Sequence, residues 1–143
     1  MELMEAIRGR RSVRDYLLDS VPQEAILRLI DAASYAPSAI NQQPWHFVVI
    51  RRRSLLDQIS HDAKRHMLTA IPSEARPEQL NERLADPSFH IFCHAPALVV
   101  ISALSEGFWT VEDCALAAEN LMLAAYEAGF RLGSTASARG FSQ

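Results

Sequence analysis

The sequence predicts a mixed domain, α/β or α+β, in which helices alternate with short hydrophobic strands. Two segments, residues 22–36 and 110–128, carry apolar side chains at helical spacing. Two unbroken apolar runs, "FVVI" at 47–50 and "ALVVIS" at 97–102, have strand length and are rich in β-branched residues. Both runs lie between the two helical segments, and a further helix is expected between the runs from Ser54. With 49% hydrophobic residues among 143, the chain can bury a core and suits one domain over residues 1–143.

Taken in order, Leu3, Ala6 and Ile7 share one face of a short helix ending near Gly9. "RRSVRDY" follows and is too polar and too short for a helix of its own. Pro22 suits the first helical residue of "PQEAILRLIDAASYA", where a missing N–H costs nothing. Ile26, Leu29, Ile30 and Ala33 give that helix an apolar stripe, and Pro37 stops it. The run "FVVI" is the first strand; after "RRR" (51–53), read as a solvated turn, Ser54 is placed to begin a helix. Residues 61–89 are polar and punctuated by proline. They are expected to form a mobile cover, with one helix over 77–84. "ALVVIS" is the second strand. Residues 110–128 form a long helix capped by Gly129, and its alanines and leucines over 115–125 fall on nearly every side, as in a helix buried all round. Two strands, with a third expected after Phe130, fall short of the usual five or so. Either the chain stops before its sheet is finished or a partner chain completes it.

Composition removes several function classes. A net charge of −3 argues against general nucleic-acid binding, which needs a basic surface. No apolar run is long enough to cross a bilayer, and "MELMEAIRGR" has no apolar signal core. Two cysteines, Cys93 and Cys114, make no disulfide framework, so a cytoplasmic setting is expected. "HIFCH" offers His90, Cys93 and His94. Three candidate ligands within five residues make a poor closed zinc site, so no metal is expected. His61 and His66 are five apart, on different helix faces. Asn120 reads as a buried amide tying its helix to a loop.

Two stretches carry candidate chemistry. "RGRRSVR" places Arg8, Arg10, Arg11 and Arg14 around Ser12, offering a phosphate bidentate guanidiniums, a hydroxyl and backbone N–H groups. Taken alone it is better explained as a solvated cluster at a helix end, where cations also suit the dipole. "APSAINQQPW" puts a hydroxyl and three amides between a helix and a strand. Taken alone, it is better explained as a plain polar turn with Trp45 plugging the core.

Together the two stretches change the balance, because "RRSVR" followed some twenty residues later by "PSAINQQPW" resembles the flavin-dependent nitroreductase family. The matching residues are Arg10, Arg11, Ser12 and Arg14, then Pro37, Ser38, Asn41, Gln43, Pro44 and Trp45. "DCALAAENLMLAAYEAGFRLGS" resembles that family's central helix, so the likeness runs from Met1 to Gly133. The resemblance implies an α+β fold, a three-layer αβα sandwich around a mostly antiparallel sheet, with FMN bound at a homodimer interface. Arg10 and Ser12 would hold the phosphate, Arg11 is a further cofactor-binding residue, and Arg14 would lie near the pyrimidine edge of the isoalloxazine. Pro37, Ser38 and Asn41, with Gln43 beside them, would line the flavin from the opposite subunit. Asn41 would bond the ring edge away from the dimethylbenzene or the ribityl region. Arg139 and Gly140 fall where a backbone N–H would reach the flavin N5.

The implied activity passes hydride from NAD(P)H to a nitroaromatic, quinone or similar small-molecule acceptor in a ping-pong sequence. The chemistry sits at flavin N5, so no catalytic side chain is named. A flavin dehydrogenase or reductive dehalogenase of the same fold is the alternative enzyme, and a non-catalytic flavin-fold dimer is the third reading. Family members continue for several dozen residues past the central helix. The expectation is therefore a domain lacking the C-terminal segment, with an exposed strand edge.

Overall fold

The computed structural model describes residues 2–104 and 106–133. Helix α1 spans Leu3–Gly9 and α2 spans Gln23–Ser34; β1 covers Trp45–Ile50, α3 Arg53–Ala70, α4 Glu78–Ala85, β2 Leu98–Ala103 and α5 Thr110–Glu127. Single 3-10 turns lie at Ala39–Asn41 and Ser73–Ala75. Gly140 and Arg139 fall outside the described residues.

Pro22 sits one position outside α2. Its carbonyl accepts the Ile26 N–H at 3.2 Å, and the helix proper starts at Gln23. The predicted stripe holds: Ile26, Leu29 and Ala33 are buried, joined by Ala25, with Ile30 half-buried. At the far end of α5, Gly129 takes φ +84. Its N–H donates to Tyr126 O at 3.1 Å and the Phe130 N–H donates to Ala125 O at 2.8 Å. Those two bonds close a Schellman cap, so glycine is needed there for backbone conformation, and a side chain at 129 would meet nothing within 4 Å.

Strands β1 and β2 pair antiparallel, Trp45 opposite Ala103 through Ile50 opposite Leu98. The period of two sends Trp45, Phe47, Val99 and Ile101 toward the core cluster of Leu29, Ala33, Ala36, Ala117, Leu121 and Ala125. Helix α5 lies on this face of the ribbon and α2 packs along α5. Three alanines at their junction, Ala33, Ala117 and Ala125, are wholly enclosed. Short side chains let the two helices approach closely. Val48 and Val100, paired on the opposite face, stay 41% and 40% exposed.

Several expectations are corrected. Ser54 does not begin the third helix: Arg52 occupies the cap position, no side chain caps it, and Ser54 is already inside α3. Residues 61–70 are helix, not loose cover, and α3 is tied to the segment beyond α4. Lys64 Nζ donates to Asp86 O at 2.8 Å and to Phe89 O at 2.7 Å, and Ser60 Oγ accepts the Ile91 N–H at 3.0 Å. These partners lie 22 to 31 residues away, so no local pattern reports them. The segment after Phe130 joins no sheet over residues 130–133; there the Val13 N–H donates to Leu132 O at 3.0 Å. Helix α5 buries one stripe, Asp113, Ala117, Leu121 and Ala125, while Val111 and Leu116 are exposed. Asn120 ties helix to helix, donating from Nδ2 to Ala32 O in α2 at 3.3 Å. Arg51 is more than solvated, since its Nη2 donates to Val21 O at 2.8 Å. Among the described residues no helix is long and apolar enough to cross a membrane.

Candidate functional site

The basic loop leaves α1 at Gly9 and carries no regular secondary structure. Arg11 turns back: Nη1 donates to Arg8 O and Arg10 O, both at 2.8 Å, satisfying carbonyls at the end of α1. Arg10 points the other way. Its Nε lies 3.7 Å from Glu119 Oε1 on α5 and is enclosed without a hydrogen-bond partner. The Ser12 and Arg14 side chains are exposed and have no hydrogen-bond partner among the described residues. Farther along, the Tyr16 hydroxyl donates to Val13 O at 2.6 Å; burial pushes its phenol pKa up. Val13 and Tyr16 thereby fasten the loop, through Leu132, to the chain that follows α5.

The second motif is a tight loop between α2 and β1. Its three residues Ile40, Asn41 and Gln43 adopt φ of 47, 55 and 47, a left-handed region that non-glycine residues seldom enter and β-branched isoleucine least of all. Local bonds hold the shape: Asn41 N–H to Ser38 O at 3.0 Å, Gln42 N–H to Ala39 O at 3.1 Å, and Gln43 N–H to Ser38 Oγ at 2.9 Å. Pro44 is buried, while Pro37, Asn41 and Gln43 are exposed. One bond ties the loop to α5, from the Ala39 N–H to Asp113 Oδ1 at 3.1 Å. Asp113 is buried in the first turn of that helix, where the N-terminal dipole favours an anion.

Both motifs therefore hang from α5, one at Glu119 and one at Asp113. Six residues of helix separate these anchors by about 9 Å along the axis and about 120° around it. One chain thus directs its basic loop and its polar loop to different sides of α5. Asp113 and Glu119 escaped sequence reasoning. Asp113 looks like any first-turn acid beside Glu112, and nothing local marks it as buried.

The cysteines are free thiols. Burial, with the Asp113 charge, pushes Cys114 up and keeps it protonated. Among the described residues one group could hold a metal: the ligand atoms of Asp57, His90 and His94 lie within 4.8 Å of one another. Cys93 is not in that group. The hydrogen bonds argue against an ion there. His90 Nδ1 accepts N–H groups from Phe92 at 3.1 Å and His94 at 3.3 Å, which assigns the ring proton to Nε2, 3.2 Å from Asp57 Oδ1. A metal at Nε2 needs a proton on Nδ1, where two donors already point. His90 instead holds the turn over residues 91–94, in which Cys93 and His94 have φ of 52 and 56.

A model of the nitroreductase family matches residues 7–137. A protein of Methanothermobacter thermautotrophicus named "Putative NADH dehydrogenase/NAD(P)H nitroreductase" is 37% identical over 129 residues, covering 90% of this chain and 58% of the relative. The chain thus spans less than two thirds of that relative's length. An iodotyrosine deiodinase of Thermotoga neapolitana is 29% identical over 136 residues, 92% of this chain and 71% of the relative. Among solved structures, a nitroreductase with bound FMN from Bacteroides fragilis superposes with a TM-score of 0.80 at 32% identity, covering 90% of this chain and 66% of that one.

Proposed function

The chain belongs to the nitroreductase family, and from that premise we propose that it forms an FMN-dependent oxidoreductase. It takes hydride from NAD(P)H and passes electrons to nitroaromatics, quinones or similar small acceptors in a ping-pong sequence, as a homodimer. The observation that carries the reading is the anchoring of both motifs to α5 on sides about 120° apart. Two copies packed along α5 can bring the basic loop of one to the polar loop of the other. The exposed Val111 and Leu116, with Phe108 and Trp109 beside them, offer an apolar surface for that packing.

The residues present fit the cofactor. Arg10 Nε is enclosed and, beyond its 3.7 Å ion pair with Glu119, has no hydrogen-bond partner, and the Ser12 and Arg14 side chains have none among the described residues; phosphate oxygens would satisfy such groups. When bound, FMN supplies the hydride acceptor and donor, and the protein contributes binding, orientation and charge. Arg10 and Ser12 hold the phosphate, with Arg11 bracing the loop from behind. Arg14 places a cation near the pyrimidine edge, where it favours a negatively charged ring. Pro37, Ser38, Asn41 and Gln43 of a second copy present a stiff polar edge to the same heterocycle.

The test is to mix the protein with excess FMN, remove free flavin, and follow NADH and NADPH oxidation with a quinone acceptor. Retained flavin near one per chain and acceptor-dependent oxidation are expected. A protein that leaves the column without a flavin spectrum overturns the reading. Likeness to the iodotyrosine deiodinase, 29% identical over 136 residues, supports a second reading, reductive dehalogenation on the same cofactor. Halide release from a halogenated phenol, with no quinone turnover, would select it.

A further inference from the structure

We propose that Asp113 is a positioning residue: its buried carboxylate holds the 38–43 loop in the left-handed shape that presents Ser38, Asn41 and Gln43 to the flavin. The proposal rests on the flavin reading for its functional half and on geometry for its structural half.

The loop is an unfavourable piece of backbone. Ile40, Asn41 and Gln43 all lie at positive φ, and none is a glycine. Such conformations persist only where surrounding bonds over-determine them. The bonds inside the loop, from Asn41, Gln42 and Gln43, set its curvature but not its place in the molecule. Its flanks are fixed by buried Ala36 and by Pro44, whose carbonyl accepts the Leu104 N–H at 2.9 Å, and between them the loop is tied to α5 by the Ala39 N–H, which donates to Asp113 Oδ1 across 74 residues of sequence. Asp113 itself cannot drift. It is 4% exposed, its own N–H donates to the O of Trp109, the residue that caps α5, at 2.9 Å, and it lies on the stripe that continues through Ala117, Leu121 and Ala125 into the core. A bond from a backbone donor to a buried anion is stronger than one between neutral groups, because the acceptor is charged and screened from water. Core packing is thereby passed to a loop whose own side chains are largely exposed.

Removing the acceptor would leave the Ala39 N–H unpaired and release the loop to relax toward ordinary φ values, with little change in the core. Asparagine at 113 has nearly the same shape and keeps a side-chain oxygen able to accept the same bond. The alanine and asparagine variants therefore separate positioning from simple support of the fold.

The experiment compares wild type, Asp113→Ala and Asp113→Asn by backbone amide exchange, by FMN titration and by the flavin midpoint potential. In Asp113→Ala, exchange over residues 38–43 should rise at least tenfold over the wild type while α2 and the middle of α5 stay protected. Its FMN Kd should rise on the order of tenfold, and the potential of the loaded fraction should shift. Asp113→Asn should stay within about threefold of wild type in exchange and affinity. Unchanged loop exchange in Asp113→Ala overturns the tether, and so does an asparagine variant as loose as the alanine one. Loosened exchange with unchanged FMN affinity and potential overturns the functional half. Should the alanine variant fail to fold, Asp113→Leu, which fills nearly the same space without an acceptor, decides by the same readouts: loop exchange and FMN Kd raised about tenfold support the tether, and wild-type values overturn it. If the wild type binds no FMN, the flavin reading has failed, and the exchange comparison still judges the tether.

Discussion

The backbone of Gly133 lies against the carbonyl oxygen of Val13, with no room for a side chain at position 133. The neighbouring Leu132 carbonyl accepts the Val13 N–H at 3.0 Å, so this close approach straps the basic loop to the chain leaving α5. A methyl at 133 has to push backbone, which yields less readily than the tip of a side chain. Gly133→Ala is expected to cost about 1–3 kcal/mol, the usual range for overpacking, read by urea unfolding. An unchanged midpoint would mean that the strap is not part of the cooperative unit.

Arg10 and Arg14 should behave differently although they share the loop. Arg10→Ala removes the half-buried guanidinium and should weaken FMN binding by about 1–3 kcal/mol, as for a charge-assisted contact. Arg14→Gln should leave most of the affinity but lower the midpoint potential, because a cation that favours the reduced ring is gone. Fluorescence titration and potentiometry separate the two. Equal affinity in Arg10→Ala removes that residue from the phosphate site.

Stability should fall with pH through His90. Burial is the main cause holding its pKa below the ordinary 6.5, with the neighbouring His94 acting in the same direction and Asp57 opposing. The folded state then binds fewer protons than the unfolded chain just below that value. The stabilisation is complete above about pH 6.5 and is lost as pH falls through the lower, folded-state pKa. Protonation also sets an N–H on Nδ1 against the Phe92 and His94 amides. Thermal melts from pH 7.5 to 5 should show the decline, and His90→Asn should flatten it. Parallel curves for the two proteins would assign the decline to other groups.

Ile40 is 89% exposed at φ 47, a poor position for a β-branched residue. Asparagine tolerates this backbone better, so Ile40→Asn should raise the stability of the isolated chain by roughly 0.5–1 kcal/mol. A lower melting temperature would show that the isoleucine side chain is buried against a second copy.

The homodimer should depend on the outer face of α5. Leu116→Asp introduces a charge at a leucine that is 44% exposed in the single chain. Sedimentation is expected to show the wild type as a dimer and the variant shifted toward monomer, with FMN affinity falling in step if the site is shared. A wild-type monomer that binds FMN tightly would refute the shared site.

Elements whose cause is local are legible in the residues themselves. The apolar periods of residues 22–36 and 110–128, the runs "FVVI" and "ALVVIS", and Gly129 each act within a few residues, and all appear in the fold within a position or two. The two motif stretches were legible for the same reason: their residue types sit side by side. Only the tertiary structure decided what holds them. Ala39 meets Asp113 across 74 residues, Arg10 meets Glu119 on α5, and Lys64 reaches Asp86 and Phe89 to tie down a stretch that reads as loose. Nothing in the neighbourhood of Asp113 distinguishes it from an exposed helix-start acid such as Glu112. A carboxylate is buried when packing closes over it and a donor arrives from elsewhere, and both conditions belong to the folded chain rather than to any window of its sequence.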